Sequence, residues 1–253
     1  MTSIKNKMMD SILYIDGVTV DFDGFKALNN LSFTVAPNSL QAIVGPNGAG
    51  KTTFMDVVTG RTKPTQGRVI FKENINLFKY DETSIVDLGI ARKFQKPSIF
   101  PNHTVLENLE LAAYKYKSIW SSTFHRKINN NLDLIEDIAN QINLDSFLYE
   151  QANSLSHGQK QWLEIGMLLS QECDVLMLDE PVAGMTDEET YKTSNLFKKI
   201  AKERSLIVIE HDIDFVQSLN CNVTVLHEGA VLAEGQMKDL KKNSSVIEVY
   251  LGR

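Results

Sequence analysis

The sequence has few cysteines and no long apolar run. Its two cysteines, Cys173 and Cys221, lie in apolar segments without the spacing of metal ligands, so buried reduced thiols are predicted, with a disulfide between them as the alternative. No stretch approaches the roughly 18 apolar residues of a membrane-spanning helix, and the start, MTSIKNKMMDSILYIDG, lacks the apolar core of a signal peptide. These absences predict a cytosolic protein that docks on a membrane at most.

Basic residues are also in deficit. The chain has 26 Lys and Arg against 32 Asp and Glu, a formal net charge of −6, and no basic cluster. Binding to a phosphate backbone needs clustered Lys and Arg, so nucleic acid is excluded as the main partner. What the chain does have is 43% apolar and 23% charged residues over 253 positions, which is typical of folded domains and allows one large α/β domain or two small ones.

Strand patterns occupy both ends of the chain, and helical patterns occupy the middle. Short β-type runs between Leu13 and Val44 precede the helix-like KTTFMDVVTG. A capping box in TVLENLELAAYKY and helical spacing in KINNNLDLIEDIANQI predict a helical insert over about 104–170. The apolar strands VLMLDEP and SLIVIEH follow, separated by a helix with a second capping box, and NVTVLHEGAVLAEG predicts a hairpin that turns at Gly229 before a short helical tail.

The segment GPNGAGKTT fits G-x-x-x-x-G-K-[ST] and stands between a predicted strand and a predicted helix. In this pattern the backbone N–H groups surround phosphate oxygens, Lys51 reaches the β- and γ-phosphates, and Thr52 offers its hydroxyl to Mg²⁺. A nucleoside triphosphate site is therefore predicted, and the alternative is a glycine-rich turn that holds a lysine by chance. The predicted binding residues are Gly45, Pro46, Asn47, Gly48, Ala49, Gly50, Lys51, Thr52 and Thr53.

Polar side chains end two later apolar strands. Asp179 ends VLMLDEP, where a carboxylate can face the metal, usually through water. Glu180 follows at the strand end where active sites of open α/β sheets gather, so it can orient or deprotonate the attacking water; the alternative is a solvated acid. His211 follows the second strand and is a neutral donor suited to the γ-phosphate.

Two further side chains have both a functional and an ordinary interpretation. Gln95 lies in a loop just before the helical insert, where its amide can contact Mg²⁺ or the attacking water, or can be polar surface. Phe22, in VDFDGF, can stack on an adenine or can be a core or hairpin aromatic.

The segment LSHGQ begins a predicted helix. Ser156 and Gln159 form the S-x-x-Q pattern of a capping box, which is sufficient to explain it. The alternative is an anion site, since His157 and the small Gly158 lie where helix N–H groups and the helix dipole favour a phosphate. Residues 45–53 already hold the phosphates of the same chain, so this second anion would come from a second ATP.

Taken in order, GPNGAGKTT, Gln95, LSHGQ, VLMLDEP and His211 resemble the five motifs of the ABC ATPases. The resemblance implies an α/β P-loop NTPase fold with a RecA-like core sheet, an N-terminal antiparallel β subdomain and an inserted α-helical subdomain. Residues 1–253 would form one ABC ATPase domain, with the nucleotide-binding core and β subdomain at 13–95 and 171–253 and the helical subdomain at 96–170.

The resemblance also implies roles for single residues. By this resemblance the catalytic residues would be Glu180, His211 and Gln95. Mg²⁺ would be held by Thr52, Gln95 and Asp179. The adenine of ATP would stack on Phe22. It further implies a head-to-tail dimer, in which Ser156, Gly158 and Gln159 of one subunit contact the γ-phosphate of ATP held by the other.

The sequence departs from the family pattern at two places. His157 replaces the middle glycine of the usual LSGGQ signature. The D-loop, usually SALD, reads AGMTD here, so that Gly184, Met185 and Thr186 intervene before Asp187.

Longer segments resemble the ATPase subunits of branched-chain amino-acid-type importers, among them FDGFKALNNLSFTV and ARKFQKPSIFPNHTVLENLELAA. SHGQKQWLEIGMLL and PVAGMT are most similar to the urea branch of these importers. The predicted function is therefore ATP binding and hydrolysis that energises an importer of urea, with a branched-chain amino acid as the alternative substrate.

The predicted partners are a second ABC ATPase subunit, identical or paralogous, two membrane-spanning permease subunits and, indirectly, an extracytoplasmic substrate-binding protein. This places the chain on the cytoplasmic face of the plasma membrane. Two other functions are alternatives for a chain with these motifs. An ABC-type ATPase acting on DNA or ribosomes would need a long coiled coil, paired cassettes or a basic surface. A non-catalytic scaffold would not need Lys51, Asp179, Glu180 and His211 together.

Overall fold

A computed structural model describes residues 10–93, 99–114, 128–171 and 173–251 of the chain. Their strands form two sheets, one antiparallel and one mostly parallel. Gln95 lies outside the described residues, so its predicted role stays a prediction.

The antiparallel sheet is built from the N-terminal part of the chain. Its strand order is β2-β1-β4-β5, with β1 (Leu13–Phe22), β2 (Phe25–Val35), β4 (Gln66–Phe71) and β5 (Ile75–Asn76). Asp23 and Gly24 join the first two strands with φ angles of 52° and 93°. Positive φ at both turn residues is what a two-residue type I′ hairpin requires, and the Asp-Gly pair supplies it at low cost.

The second sheet brings the predicted site residues to one edge. Its order is β10-β9-β3-β8-β7-β6, from β3 (Leu40–Val44), β6 (Ile90–Lys93), β7 (Val175–Asp179), β8 (Ser205–Ile209), β9 (Asn222–His227) and β10 (Ala230–Gln236). All neighbours are parallel except β9 and β10, which form the predicted hairpin around Gly229. Parallel strands end at the same edge, so the residues that follow β3, β7 and β8 meet there.

Helices cover this sheet and fill the interval between β6 and β7. They are α1 (Lys51–Val58), α2 (Glu82–Leu88), α3 (Val105–Tyr114), α4 (Ile128–Gln141), α5 (His157–Leu169), α6 (Asp187–Ile200), α7 (Ile213–Leu219), α8 (Met237–Leu240) and α9 (Ser244–Val246), which continues into a π-helical turn, Ile247–Leu251. The predicted capping boxes are present before α3, α5 and α6. None of the helices in the described part of the chain is both long and apolar enough to cross a bilayer.

Two apolar clusters lie on opposite faces of the parallel strands. Ile43 and Met177 face the antiparallel sheet and α1, whereas Val44 and Leu178 face α3 to α7, because successive side chains of a strand alternate between faces. The two thiols, at positions 173 and 221, are buried and free, which confirms the prediction and makes the disulfide alternative wrong. Burial raises the pKa of each thiol to about 11, so both stay protonated at neutral pH.

Candidate ATP site and signature helix

The glycine-rich loop after β3 has the backbone shape that its sequence predicts. Gly48 and Gly50 have φ angles of 80° and 98°, in the left-handed region, and Gly50 caps the start of α1. A side chain at Gly50 would also place its Cβ 2.6 Å from the carbonyl oxygen of Ala27. Both the conformation and the close approach therefore require glycine at this position.

Lys51 crosses the mouth of this loop. Its Nζ donates to the carbonyl oxygens of Gly45 and Pro46, at 2.7 and 3.0 Å. Burial lowers the pKa of the ammonium, while the nearby carboxylates of Glu180 and Asp179 raise it. The loop thus holds a half-buried cation that already faces two acidic side chains.

A cavity of about 280 Å³ combines the loop with the end of β7. It is lined by Phe25, Ala27, Asn47, Gly48, Ala49, Gly50, Lys51, Thr52, Thr53, Asp179 and Glu180. The structure therefore brings together the predicted phosphate-binding and acidic residues, which are more than 120 positions apart in the chain.

Asp179 is held beside a buried arginine. Its side chain is 6% exposed, and Arg92 Nη2 lies 3.7 Å from its Oδ2. Burial raises the pKa of the Asp179 carboxyl, and the charge of Arg92 counteracts this shift. Arg92 Nη1 also contacts Asp56 Oδ1 of α1 at 2.5 Å, so one guanidinium links the P-loop helix to β7.

The two candidate catalytic side chains face each other. His211 Nδ1 lies 3.5 Å from Glu180 Oε1. Glu180 has a positive φ of 47°, and its N–H donates to Ile209 O at 2.9 Å, which fixes the end of β7 against β8. A non-glycine residue in this conformation is strained, and such strain is concentrated at functional sites.

Glu210 was not predicted, although it stands between the apolar strand and His211 in VIEH. Its carboxylate is 1% exposed and accepts from the N–H groups of Val182 and His211, at 3.2 and 3.1 Å. Burial raises the pKa of this carboxyl, and the backbone donors oppose the rise. Glu210 thereby ties the loop after β7 to the loop that carries His211.

The aromatic residue that lines the cavity is Phe25, not the predicted Phe22. The two are directly opposed across the β1–β2 hairpin and are 67% and 52% exposed. Opposed residues of an antiparallel pair point to the same face, so Phe22 lies beside Phe25 without lining the cavity, and its stacking on adenine stays a prediction.

The start of α5 has the predicted capping box, and an anionic side chain also contacts it. Ser156 Oγ accepts from Gln159 N at 3.2 Å, and Gln159 Oε1 accepts from Ser156 N at 2.8 Å. Ser156 Oγ also donates to Glu189 Oε1 at 3.1 Å, and a Cβ on Gly158 would lie 2.4 Å from the Glu189 carboxyl carbon. Within one chain the anion at the start of α5 is therefore the carboxylate of Glu189. The sequence predicted this residue only as part of the capping box of α6.

His157 joins the signature to the D-loop. Its Nε2 lies 2.9 Å from the carbonyl oxygen of Ala183, and a Cβ on Gly184 would come within 3.2 Å of the same nitrogen. Deeper in α5, Trp162 Nε1 donates to Thr193 Oγ1 of α6 at 2.8 Å. None of the signature residues 156–159 is among the residues that line the ATP cavity.

The sequence is similar to those of known proteins along most of its length. The family model "ABC transporter" matches residues 28–183. The probable branched-chain amino acid transport ATP-binding protein LivG of Archaeoglobus fulgidus is 34% identical over 246 residues, which are 95% of each chain. The high-affinity branched-chain amino acid transport ATP-binding protein BraF of Pseudomonas aeruginosa is 32% identical over 254 residues, 97% of this chain and 99% of that one.

Solved structures of ABC transporter cassettes are also similar to this chain. The crystal structure of the ADP conformation of MJ1267, an ATP-binding cassette of an ABC transporter, matches with a TM-score of 0.83 at 29% identity, over 96% of this chain and 99% of that one. This chain therefore belongs to the ABC transporter family, and the predicted fold class is confirmed. More particularly, it is the ATP-hydrolysing subunit of an ABC importer of the LivG-like type.

Proposed function

We propose that this chain powers an importer of the branched-chain amino-acid type by hydrolysing ATP in the cavity between the glycine-rich loop and the end of β7. The observation that carries the proposal is convergence: Lys51, Asp179 and Glu180 border one cavity, and His211 contacts Glu180. Relatives of 30–34% identity whose names specify branched-chain amino acid transport support this substrate class over urea.

Residues 45–53 cradle the triphosphate in this proposal, and the ammonium of Lys51 pairs with its β- and γ-phosphates. The Thr52 hydroxyl and the Asp179 carboxylate are hard oxygen ligands at the same cavity, which fits Mg²⁺. When bound, Mg²⁺ neutralises charge on the phosphate oxygens. Gln95 remains a proposed ligand from its place in the sequence, directly after β6.

Glu180 acts on the attacking water, and His211 supports the γ-phosphate. The carboxylate lies at the cavity wall and can accept a proton from water that approaches the phosphate in line. The 3.5 Å contact between the two side chains keeps the imidazole next to the reacting groups. The buried carboxylate of Glu210 fixes the backbone of His211 in this place.

The signature residues act on ATP of a second ABC ATPase subunit. Ser156, Gly158 and Gln159 lie outside the cavity of their own chain, so they complete a site only in a head-to-tail dimer. ATP binds the closed dimer more tightly than the open one, and hydrolysis reopens it. The helical insert, 96–170, transmits this motion to two permease subunits on the cytoplasmic face of the membrane, which a substrate-binding protein serves from the other side.

The variant Glu180→Gln tests the catalytic part of the proposal. It should bind ATP normally and accumulate as a closed dimer, while steady-state hydrolysis falls roughly 10²- to 10⁴-fold, because the amide cannot accept the proton of water. Hydrolysis at the unsubstituted rate would contradict the role of Glu180.

Substrate is tested separately on the assembled importer. The complex is purified from membranes with its permeases, and ATPase activity is measured with candidate binding proteins plus leucine, isoleucine, valine or urea. Stimulation by branched-chain amino acids alone supports the proposal. Stimulation by urea alone would instead support the prediction drawn from SHGQKQWLEIGMLL and leave the ATPase mechanism unchanged.

A further inference from the structure

One ion pair is buried between the ATP-binding core and the signature helix. Lys93 Nζ lies 3.0 Å from Glu164 Oε2, and the two side chains are only 3% and 4% exposed. Lys93 is the last residue of β6, and Glu164 lies in the middle of α5. The pair therefore joins the strand that precedes Gln95 in the sequence to the helix that begins at the signature.

Packing alone does not require charges at this place. The neighbours of Glu164 along α5, Leu163 and Ile165, are fully buried apolar residues, and an apolar pair would fill the same space. Two charges lose much of their solvation on burial, and this loss is recovered only at one distance and orientation. An ion pair is therefore more sensitive than an apolar contact to where α5 sits on β6.

The neighbouring residue on β6 contacts the catalytic side. Arg92 and Lys93 point to opposite faces of the strand, as successive residues do. Arg92 lies against Asp56 of α1 and Asp179 of β7, whereas Lys93 reaches Glu164. The last two residues of β6 thus contact α1, the carboxylate of Asp179 and α5.

A small change at this pair is magnified at the helix start. Ser156 lies eight residues before Glu164, which is about 12 Å along a helix. A tilt of about 5° at Glu164 would move Ser156 by about 1 Å, which is twice the roughly 0.5 Å range of good hydrogen-bond distances. Misplacement by 1 Å can lower a rate up to about 10²-fold.

We propose that Lys93 and Glu164 are positioning residues that set the angle of α5, and thereby place Ser156 and Gly158 for the phosphate of the second subunit. This inference rests on the proposed composite site. Neither side chain touches nucleotide, since neither lines the cavity. The pair acts through the helix that it orients, and the charge of Lys93 also lowers the pKa of the Asp179 carboxyl. Lys93→Arg keeps this charge, so it separates the two effects.

The test replaces the pair by an apolar one, Lys93→Met with Glu164→Met, in the full chain. Each single variant breaks the ion pair and leaves one of its charges buried, so the unfolding temperature should fall by about 6–20 °C. The double variant should recover most of this loss and bind ATP to the monomer normally. With Glu180 intact, its kcat should still be reduced at least about tenfold. Its ATP-driven dimerisation, measured separately in the Glu180→Gln background, should fall by a similar factor.

A matched control removes an exposed ion pair. Lys72 Nζ and Asp174 Oδ2 are 2.6 Å apart, and their side chains are 44% and 42% exposed. Lys72→Met with Asp174→Asn should therefore leave the unfolding temperature, the ATP affinity, kcat and dimerisation unchanged. Wild-type kcat and dimerisation in the Lys93→Met, Glu164→Met protein would overturn the proposal, since the pair would then only stabilise the fold.

A conservative variant decides the question if the double variant does not fold. Lys93→Arg keeps the charge but changes the length and shape of the side chain. Unchanged ATP affinity with kcat lowered at least about threefold supports the positioning role, and wild-type kcat overturns it. Failure of the unsubstituted chain to dimerise with ATP would count against the proposed composite site instead, so the two failures are distinguishable.

Discussion

Gly158→Ala separates the stability of the signature helix from its contact with a second ATP. In the structure an added Cβ would lie 2.4 Å from both Cδ and Oε1 of Glu189, which is closer than real atoms approach. Glu189 is partly exposed, so its carboxylate can rotate away at the cost of its hydrogen bond to Ser156. The backbone of Gly158 itself needs no left-handed φ.

The change in folding free energy should be small. Weakening the cap that Glu189 makes with Thr186 costs roughly 0.5–2 kcal/mol. Replacing glycine by alanine in a helix returns up to about 1 kcal/mol. The net change is about 1 kcal/mol or less, and the unfolding temperature should move by at most about 2–4 °C.

Dimer closure should respond far more strongly. The first N–H groups of α5 point out of the helix, and the Cβ would stand where phosphate oxygens approach them. Losing one hydrogen bond to a charged group costs roughly 1.5–3 kcal/mol, which is about 10- to 150-fold in the closure equilibrium. Analytical ultracentrifugation with ATP, in the Glu180→Gln background, measures this equilibrium beside ATP affinity of the monomer.

Gly166→Ala is the matched control in the same helix. Its Cβ would meet Ile142 Cδ1 at 2.5 Å and Leu109 Cδ2 at 3.0 Å, inside the helical core and away from Glu189. Overpacking of about 1–3 kcal/mol should lower the unfolding temperature more than Gly158→Ala does. Closure should fall less than in Gly158→Ala, because no hydrogen bond to a phosphate is lost. If Gly158→Ala closes as tightly as the unsubstituted chain, the signature entrance does not hold the second phosphate.

Three further predictions concern single contacts. Trp162→Phe removes the buried bond to Thr193 and should lower stability by about 1–3 kcal/mol in urea unfolding; a change below about 0.5 kcal/mol would mean that the bond is not formed. Between the ordinary and the raised pKa of Glu210, the folded chain binds more protons than the unfolded one, so unfolding free energy should fall as pH rises through this window and should fall less in Glu210→Gln; equal slopes would contradict the raised pKa. Phe25→Ala should weaken ATP binding by about 1 kcal/mol, roughly fivefold, and more than Phe22→Ala does; the reverse order in calorimetry would restore Phe22 as the stacking residue.

The sequence was informative where chemistry depends on neighbours in the chain. The glycine-rich loop, the three capping boxes and the hairpin at Gly229 are short-range patterns, and each is present in the structure. Individual side-chain pairs between distant segments, other than those at the ends of the parallel strands, left no such signal. Nothing near Lys93 indicates that Glu164, 71 positions later, neutralises it, because pairing between distant charges depends on how α5 packs on β6.

The two departures from the family motifs, in the signature and in the D-loop, contact each other in the structure. His157, which replaces the middle glycine of the signature, binds the carbonyl oxygen of Ala183 in the altered D-loop, and Gly184 leaves room for the imidazole. A larger residue at Gly184 would crowd this contact and would also be strained at its φ of 74°. The two substitutions therefore form one link between α5 and the segment that follows Glu180.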